Sequence, residues 1–285
     1  MTGTQPGTGL ALLAASRVRL GLGGNRFAGP DALGPATDPQ ACRDVIRMAC
    51  DRGLSVIDTA DCYGPGFSEE LIGAALQGMS ERPPVATKVG VIRGSRGEWV
   101  VDVCASHLER SARASARRLR TDTIDVLQLH HPSKHSDIRD QVAPLHKLRE
   151  CGFVRHIGVC NVNLDQLRRA EEAGPLVSVQ NHLHLRRMTG DELQLIEYCE
   201  GRGIAYLAYQ PLAEGMLLND PAVREAAREA GTTPAGLALG RLLGVASNVV
   251  PLVGTARPTH LLENVNAVVP FDAALRVGGG SVCAP

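Results

Sequence analysis

Eight short apolar segments recur along the chain, and amphipathic segments of helical length separate them. Each apolar segment is about as long as a β-strand and almost continuously apolar, which is typical of parallel strands buried on both faces. The segments are VRLGLG from 18, LSVIDT from 54, PVATKVG from 84, TIDVLQLH from 123, VRHIGVC from 154, LVSVQN from 176, IAYLAY from 204 and NVVPLV from 248. This alternation predicts an α/β fold, a single (β/α)8 TIM barrel.

The chain length fits this prediction. A barrel of ~250 residues is one domain, and the chain has 285 residues without an evident linker or repeat. We expect residues 1–285 to form one barrel, with 1–17 as an N-terminal extension or hairpin and 271–285 as a short C-terminal tail that can be flexible. An open doubly wound sheet is the alternative. It fits less well because GLGGNR at 21–26 begins like the dinucleotide-binding fingerprint G-x-G-x-x-G but ends in arginine.

Composition limits the partners and the compartment. The formal net charge is zero, which gives no electrostatic argument for binding nucleic acid or an anionic membrane surface. No apolar stretch approaches the ~20 residues of a membrane span. The eight cysteines form no CxxC pair and none has metal-ligand spacing with histidine, so we predict no metal site. Scattered cysteines without an export signal indicate the cytoplasm.

Polar residues end most of the predicted strands, and in a barrel the C-terminal strand ends meet at one mouth. Any one of them has a structural explanation, such as a helix cap or a buried structural histidine. An acid, a tyrosine, a lysine and a histidine at one mouth instead favour a catalytic site. The residues at or just after these strand ends are Asp58, Tyr63, Lys88, His130, Cys160, Asn161, Gln180, Asn181, Tyr209, Gln210, Gly254 and Thr255.

Four of these residues suggest a mechanism. A tyrosine hydroxyl with a pKa of about 10 is a weak acid at neutral pH, and a nearby ammonium lowers that pKa. Lys88 is placed to supply this ammonium, with Asp58 to hold it. Tyr63 would then donate a proton to a developing alkoxide, and His130 would orient the carbonyl by a hydrogen bond. Because a proton donor alone does not reduce a carbonyl, the site needs a hydride source.

The chain resembles the aldo-keto reductase superfamily from Arg19 to about Asn266. The motifs that carry the resemblance are IDTADCYGPGFSEELIG, ATKVG, IDVLQLHHP, HIGVCNV, SVQNHLHL, AYQPLAEGML and VGTARPTHLLEN. The resemblance implies a (β/α)8 barrel that binds NAD(P)H without a Rossmann motif. It also places the family's catalytic tetrad at Asp58, Tyr63, Lys88 and His130.

The resemblance further implies the cofactor contacts. Asn161 and Gln180 correspond to the residues that hold the nicotinamide carboxamide, and Tyr209 to the aromatic residue that stacks on the nicotinamide ring. The pyrophosphate and adenosine ends would lie along later loops. The predicted cofactor-binding residues are Gly24, Asn161, Gln180, Tyr209, Gln210, Leu212, Glu214, Gly254, Thr255, Arg257, His260, Glu263 and Asn264.

The sequence also departs from the family at the cofactor site. Cys160 replaces the usual serine, Gly254 stands where many members have lysine, and His260 where they have arginine. Arg257 precedes Pro258 at a helix start, where a cation is unfavourable without an anion, so we predict that it binds the 2′-phosphate of NADPH. A solvated arginine is the alternative. We expect NADPH to be preferred over NADH, by a modest margin.

The substrate is less constrained. RLGLGGNRFAGPDALGP resembles the pyridoxal-reductase-like bacterial branch, and we predict a small-molecule aldehyde or ketone as substrate. Phe27, Trp99 and His131 are the predicted pocket residues.

The alternative function is a cofactor-binding regulatory subunit of the same fold with slow or no turnover. The oligomeric state stays open.

Overall fold

The computed structural model of the protein describes Gly9 and residues 16–278, with side chains as far as residue 271. Most of the predicted N-terminal extension and residues 279–285 of the predicted tail lie outside this range. The last helix continues through residue 278. The first residues of the predicted tail are therefore helical.

Eight parallel strands close into a barrel, which confirms the predicted fold class. The ring is closed between the first and last strands, where Leu22 pairs with Val253 and Gly23 with Gly254. An open sheet is thereby ruled out. The barrel strands are β1 (Val18–Gly23), β2 (Leu54–Asp58), β3 (Val85–Val89), β6 (Ile124–Leu129), β7 (Val154–Cys160), β8 (Ser178–His182), β9 (Ala205–Tyr209) and β10 (Val249–Gly254).

Helices follow the strands and surround the barrel. Several begin at side chains that accept hydrogen bonds from the first free backbone N–H groups; Asn163, for example, forms a capping box with Gln166. The helices are α1 (Pro39–Asp51), α2 (Phe67–Leu76), α3 (Ala105–Leu119), α4 (Ile138–Glu150), α5 (Leu164–Glu172), α6 (Gly190–Gly201), α7 (Met216–Asn219), α8 (Pro221–Glu229), α9 (Pro234–Leu243) and α10 (Pro258–Gly278).

The hydrophobic core has an inner and an outer layer. The outer layer fills the space between strands and helices. The inner layer lies within the barrel, so the barrel is a packed core and its functional groups are displayed at one end. The inner layer consists of Val56, Ala86, Val126, Val177, Ala205, Leu207, Val250 and Leu252.

A short antiparallel hairpin follows β3, and the sequence did not predict it. Its strands are β4 (Val91–Arg93) and β5 (Trp99–Val101), with Arg93 opposite Trp99. The guanidinium of Arg93 lies 3.9 Å from the Trp99 ring centroid, a cation–π contact. The hairpin therefore holds Trp99 beside the C-terminal end of the barrel.

Candidate active site

A buried ion pair lies at the adjoining ends of β2 and β3. The Lys88 Nζ donates to Asp58 Oδ1 at 2.6 Å and to the backbone oxygen of Thr59 at 2.7 Å. Both side chains are almost fully buried. The strand ends fix both partners, so the ammonium group has one position. Two of its three N–H donors are used in holding it there.

Tyr63 lies above this pair, in the turn between β2 and α2. The Lys88 Nζ is 5.3 Å from the centroid of the Tyr63 ring. The contact therefore runs through the ring face and not through a hydrogen bond to the hydroxyl. The backbone of the turn holds the tyrosine, since its N–H donates to the carbonyl of Ala60 at 3.2 Å.

His130 completes a cluster of rings around Tyr63. The rings of Tyr63 and His130 meet edge to face with centroids 6.0 Å apart, and Trp99 lies 6.4 Å from Tyr63 and 6.2 Å from His130. His131 stacks on His130 at 5.4 Å. The Sγ of Cys62 lies 3.5 Å from His130 Nδ1. The rings of Trp99, His130 and His131 thus lie on one wall of the site together with Tyr63.

The electrostatics of the site differ in one respect from the sequence expectation. Burial raises the pKa of Tyr63 above its usual value, and the charge of Lys88 offsets this only in part. Lys88 does favour the phenolate, as predicted, but desolvation of the phenol outweighs it in the protein without ligands. At neutral pH Tyr63 is therefore a protonated phenol.

The pKa values of the two basic groups also follow from burial and charge. Burial acts to lower the pKa of Lys88, but the charge of Asp58 and the hydrogen bond to it outweigh burial, so this pKa lies above its usual value. Burial, followed by the charge of Lys88, holds the pKa of His130 well below its usual value. The site therefore presents an ammonium, a phenol and a neutral imidazole.

A cavity of about 880 Å³ opens over these residues at the C-terminal end of the barrel. It extends from the tetrad along the segment after β9 to the end of β10. The structure therefore brings most of the predicted site residues to one cavity. Those that line it are Asp58, Tyr63, Lys88, Trp99, His130, His131, Asn161, Gln180, Tyr209, Gln210, Leu212, Glu214, Gly254 and Asn264.

The predicted nicotinamide-binding groups form their own hydrogen-bond network. The Tyr209 hydroxyl donates to Asn161 Oδ1 at 2.8 Å, and Asn161 Nδ2 donates to the carbonyl of His130 at 2.9 Å. Tyr209 stacks on His182 with ring centroids 5.1 Å apart. One face of the Tyr209 ring is thus covered by protein, while the residue also lines the cavity.

Two predicted site residues are misplaced. Phe27 is fully buried in the outer core, so the prediction that it lines the substrate pocket is wrong. Gly24 does not line the cavity either. Its carbonyl accepts from Ser68 Oγ at 2.8 Å, and a Cβ on Gly24 would lie 2.7 Å from that oxygen. The glycine permits this close packing, which is a structural role.

The remaining predicted cofactor residues flank the cavity at its far end without lining it. Arg257, His260 and Glu263 are exposed around the start of α10. Thr255 is buried, and its Oγ1 accepts from the backbone N–H of Arg257 at 3.0 Å. Their part in cofactor binding stays a prediction.

The segment after β1 contributes cavity residues that the sequence analysis did not identify. They include Asn25, Arg26 and Asp31. The signal was present, since these residues follow the end of the first predicted strand as the other site residues follow theirs. As a motif, GLGGNR is only an incomplete dinucleotide fingerprint. In a barrel, however, a residue that directly follows the C-terminal end of a strand lies near the mouth, whatever motif it belongs to.

The described part of the chain, Gly9 and 16–278, contains neither a metal-binding cluster nor a helix that could span a membrane. No group of three or more histidine, cysteine, aspartate or glutamate side chains there is arranged to hold a metal ion. Within the same residues, every helix is too short or too polar to cross a membrane.

Comparison with known proteins identifies the family and agrees with the fold. The Aldo/keto reductase family model matches residues 19–274. The chain is 32% identical over 256 residues to the pyridoxine 4-dehydrogenase of Escherichia coli, covering 87% of this chain and 88% of that one. An uncharacterised oxidoreductase of Schizosaccharomyces pombe is 32% identical over 253 residues, covering 87% and 81%.

Solved structures share the architecture. The glycerol dehydrogenase of Gluconobacter oxydans superposes with a TM-score of 0.74 at 26% identity, covering 94% of this chain and 93% of that one. An aldo/keto reductase from Klebsiella pneumoniae, solved with NADP and acetate, gives a TM-score of 0.73 at 25% identity, with 89% of each chain covered.

Proposed function

The chain belongs to the aldo/keto reductase family, and on this premise we propose that it reduces the carbonyl group of a small aldehyde or ketone to an alcohol with NADPH. One observation carries the proposal. Asp58 and Tyr63 come from the end of β2 and the turn after it, Lys88 from β3 and His130 from the end of β6, and they lie together at the mouth with the buried ammonium 5.3 Å from the tyrosine ring. A purely structural ion pair would not need a phenol and an imidazole on the same cavity wall.

The cavity fits a nicotinamide dinucleotide. Ligand pockets typically hold ~300–1,000 Å³, and this one measures about 880 Å³. The amides of Asn161 and Gln180 and the ring of Tyr209 lie beside the tetrad, where they would hold the nicotinamide. Gly254, Asn264 and Arg26 border the other end, where the phosphates and adenosine would lie. The bound cofactor would supply the hydride.

The protein groups supply the proton and the orientation. His130, a neutral imidazole, donates a hydrogen bond to the substrate carbonyl oxygen and sets its position. As charge develops on that oxygen it becomes more basic than the phenolate, and Tyr63 gives up its proton to it. Lys88 stabilises the phenolate that remains, and a proton from solvent restores the phenol. The products are the alcohol and the oxidised cofactor.

The relatives suggest one substrate to test first. The similar protein from E. coli is named pyridoxine 4-dehydrogenase. Pyridoxal is the corresponding aldehyde, and its aromatic ring suits a wall made of Trp99 and His131. We therefore include pyridoxal among the candidate substrates.

Turnover decides between an enzyme and a cofactor-binding subunit. NADPH oxidation would be followed with pyridoxal and with a panel of small aliphatic and aromatic aldehydes and ketones. We expect steady turnover with at least one carbonyl compound and stoichiometric alcohol product. Tight NADPH binding without multiple turnovers on any member of the panel would favour the regulatory alternative.

A further inference from the structure

Arg26 lines the cavity, and its guanidinium has no partner among the described residues. Arg26 is exposed and lines the cavity near the end of β10. Among the described residues, no hydrogen bond, ion pair or ring contact involves its side chain. The ammonium group that also lies on the cavity wall, that of Lys88, is already paired with Asp58, and the His130 imidazole is neutral. Arg26 is thus the cavity cation whose charge is left for a ligand.

The segment that carries Arg26 is anchored on both sides. The Gly24 carbonyl accepts from Ser68 Oγ at 2.8 Å, and the fully buried Phe27 packs in the outer core. The two residues between these anchors, Asn25 and Arg26, are the ones exposed to the cavity. The arginine therefore extends from a fixed backbone, which lowers the entropy lost when its side chain binds an anion.

The absence of a side chain at Gly254 leaves room for the side chains of Asn25 and Arg26. A Cβ on Gly254 would lie 2.8 Å from Asn25 Oδ1 and 3.5 Å from Arg26 Cγ. Because Gly254 has no side chain, the segment after β1 fills this space, and Arg26 runs across the end of β10. Gly23, the last residue of β1, is aligned with both Gly254 and Asp58 in the barrel. Arg26 is therefore at the level of the catalytic strand ends.

From this placement we propose that Arg26 binds a phosphate group of the dinucleotide cofactor and is a determinant of cofactor affinity. Guanidinium groups bind phosphate oxygens in a bidentate, charge-assisted arrangement. The inference rests on the proposed function, since it takes NADPH as the ligand. The phosphate is either the pyrophosphate, which NADPH and NADH share, or the 2′-phosphate, which NADPH alone carries.

The test measures the dissociation constants of NADPH and NADH for the wild type, Arg26→Ala and Arg26→Lys. Quenching of Trp99, the single tryptophan of the chain, provides the signal, and calorimetry provides an independent value. A lost charge-assisted hydrogen bond typically weakens binding about tenfold to a hundredfold. We expect that loss for Arg26→Ala and a smaller loss for Arg26→Lys. Arg110→Ala, an exposed helix arginine away from the cavity, is the matched control and should bind like the wild type.

The two cofactors identify the phosphate. A loss confined to NADPH assigns Arg26 to the 2′-phosphate, and an equal loss for both assigns it to the pyrophosphate. Unchanged affinity for both cofactors in correctly folded Arg26→Ala overturns the proposal. Failure of the wild type to bind either cofactor would instead refute the proposed function, so the two failures are distinguishable.

Discussion

The buried Asp58–Lys88 pair keeps the lysine at the mouth in its ammonium form. Without Asp58, burial would favour the neutral amine, because desolvation lowers the pKa of a lysine. With Asp58 at 2.6 Å, the ammonium persists and faces the Tyr63 ring. Asp58 therefore acts through Lys88, as a positioning residue that also holds the charge.

Asp58→Asn should impair the reaction without abolishing it, and should change its pH dependence. The charge that raises the pKa of Lys88 is removed, so this pKa falls. The proposed reaction needs Lys88 as an ammonium group, and this charge is lost as the pH rises through the lowered pKa of Lys88. We therefore expect kcat of the variant to decline toward pH 9 where the wild type stays nearly flat. Profiles of kcat between pH 6 and 9 test this, with melting temperatures to verify folding. Parallel profiles would contradict the role given to Asp58.

At the scale of single residues, the sequence predicted that Asp58, Tyr63, Lys88 and His130 lie together, but it did not predict every neighbour. Asp58, Lys88 and His130 lie at or directly after the C-terminal ends of apolar strands, so the barrel topology alone brings them together. Phe27 was misassigned because an aromatic residue near a strand end fits a pocket wall and a core equally well. The direction of its side chain depends on packing against α-helices far along the chain.

At the scale of elements, the β4–β5 hairpin forms part of the cavity wall beside Tyr63 and His130. Trp99 is 51% exposed, yet it contacts Tyr63 and His130 edge to face and is held from behind by Arg93. The sequence did not reveal the hairpin, because three-residue strands have too few positions for a periodic pattern. Its pairing depends on the turn at Gly94–Gly97.

Trp99→Ala should weaken substrate binding more than cofactor binding. An aromatic contact of this kind contributes ~0.5–1.5 kcal/mol beyond the area it buries, so we expect KM for an aromatic aldehyde to rise about tenfold. Calorimetry should give a nearly unchanged Kd for NADPH. Val100→Ala, one residue along the same exposed strand, is the control and should leave KM unaltered. An equal rise in KM for both variants would indicate that the hairpin as a whole, and not the Trp99 ring, is responsible.

The start of α10 is the second element with a testable role. Arg257 is exposed, its backbone N–H is bound by Thr255 Oγ1, and no bond to its guanidinium is present among the described residues. If it binds the 2′-phosphate, Arg257→Ala should weaken NADPH binding and leave NADH binding unchanged, moving the ratio of dissociation constants toward one. Equal wild-type affinity for both cofactors, or equal losses in the variant, would contradict this role.

At the scale of the whole molecule, the apolar interior of the barrel provides stability, and the groups suited to chemistry lie in the cavity beyond the strand ends. The apolar interior of the strands was predictable from composition and spacing, and each predicted strand agrees with the observed one to within about two residues. The cavity beyond the strand ends was predictable only in part. Part of its wall comes from residues 25–31, which include short 3-10 turns, and their conformation depends on contacts between residues far apart in sequence, such as Ser68 with Gly24.

The central claim is that the proton added to the substrate comes from Tyr63. Tyr63→Phe removes that proton and keeps the ring, its edge contacts and the cation beneath it. We expect cofactor affinity close to that of the wild type. General acid catalysis typically contributes ~100- to 10,000-fold, so hydride transfer should slow by a factor in that range.

Single-turnover oxidation of bound NADPH by an aldehyde substrate is the direct measurement. It would be run for the wild type and Tyr63→Phe, with 4-deuterated cofactor to verify that hydride transfer limits the observed rate. The account predicts a rate at least ~100-fold lower in Tyr63→Phe, with an isotope effect on that rate. An unchanged rate with the same isotope effect would contradict it, because the proton would then have to come from His130 or from water.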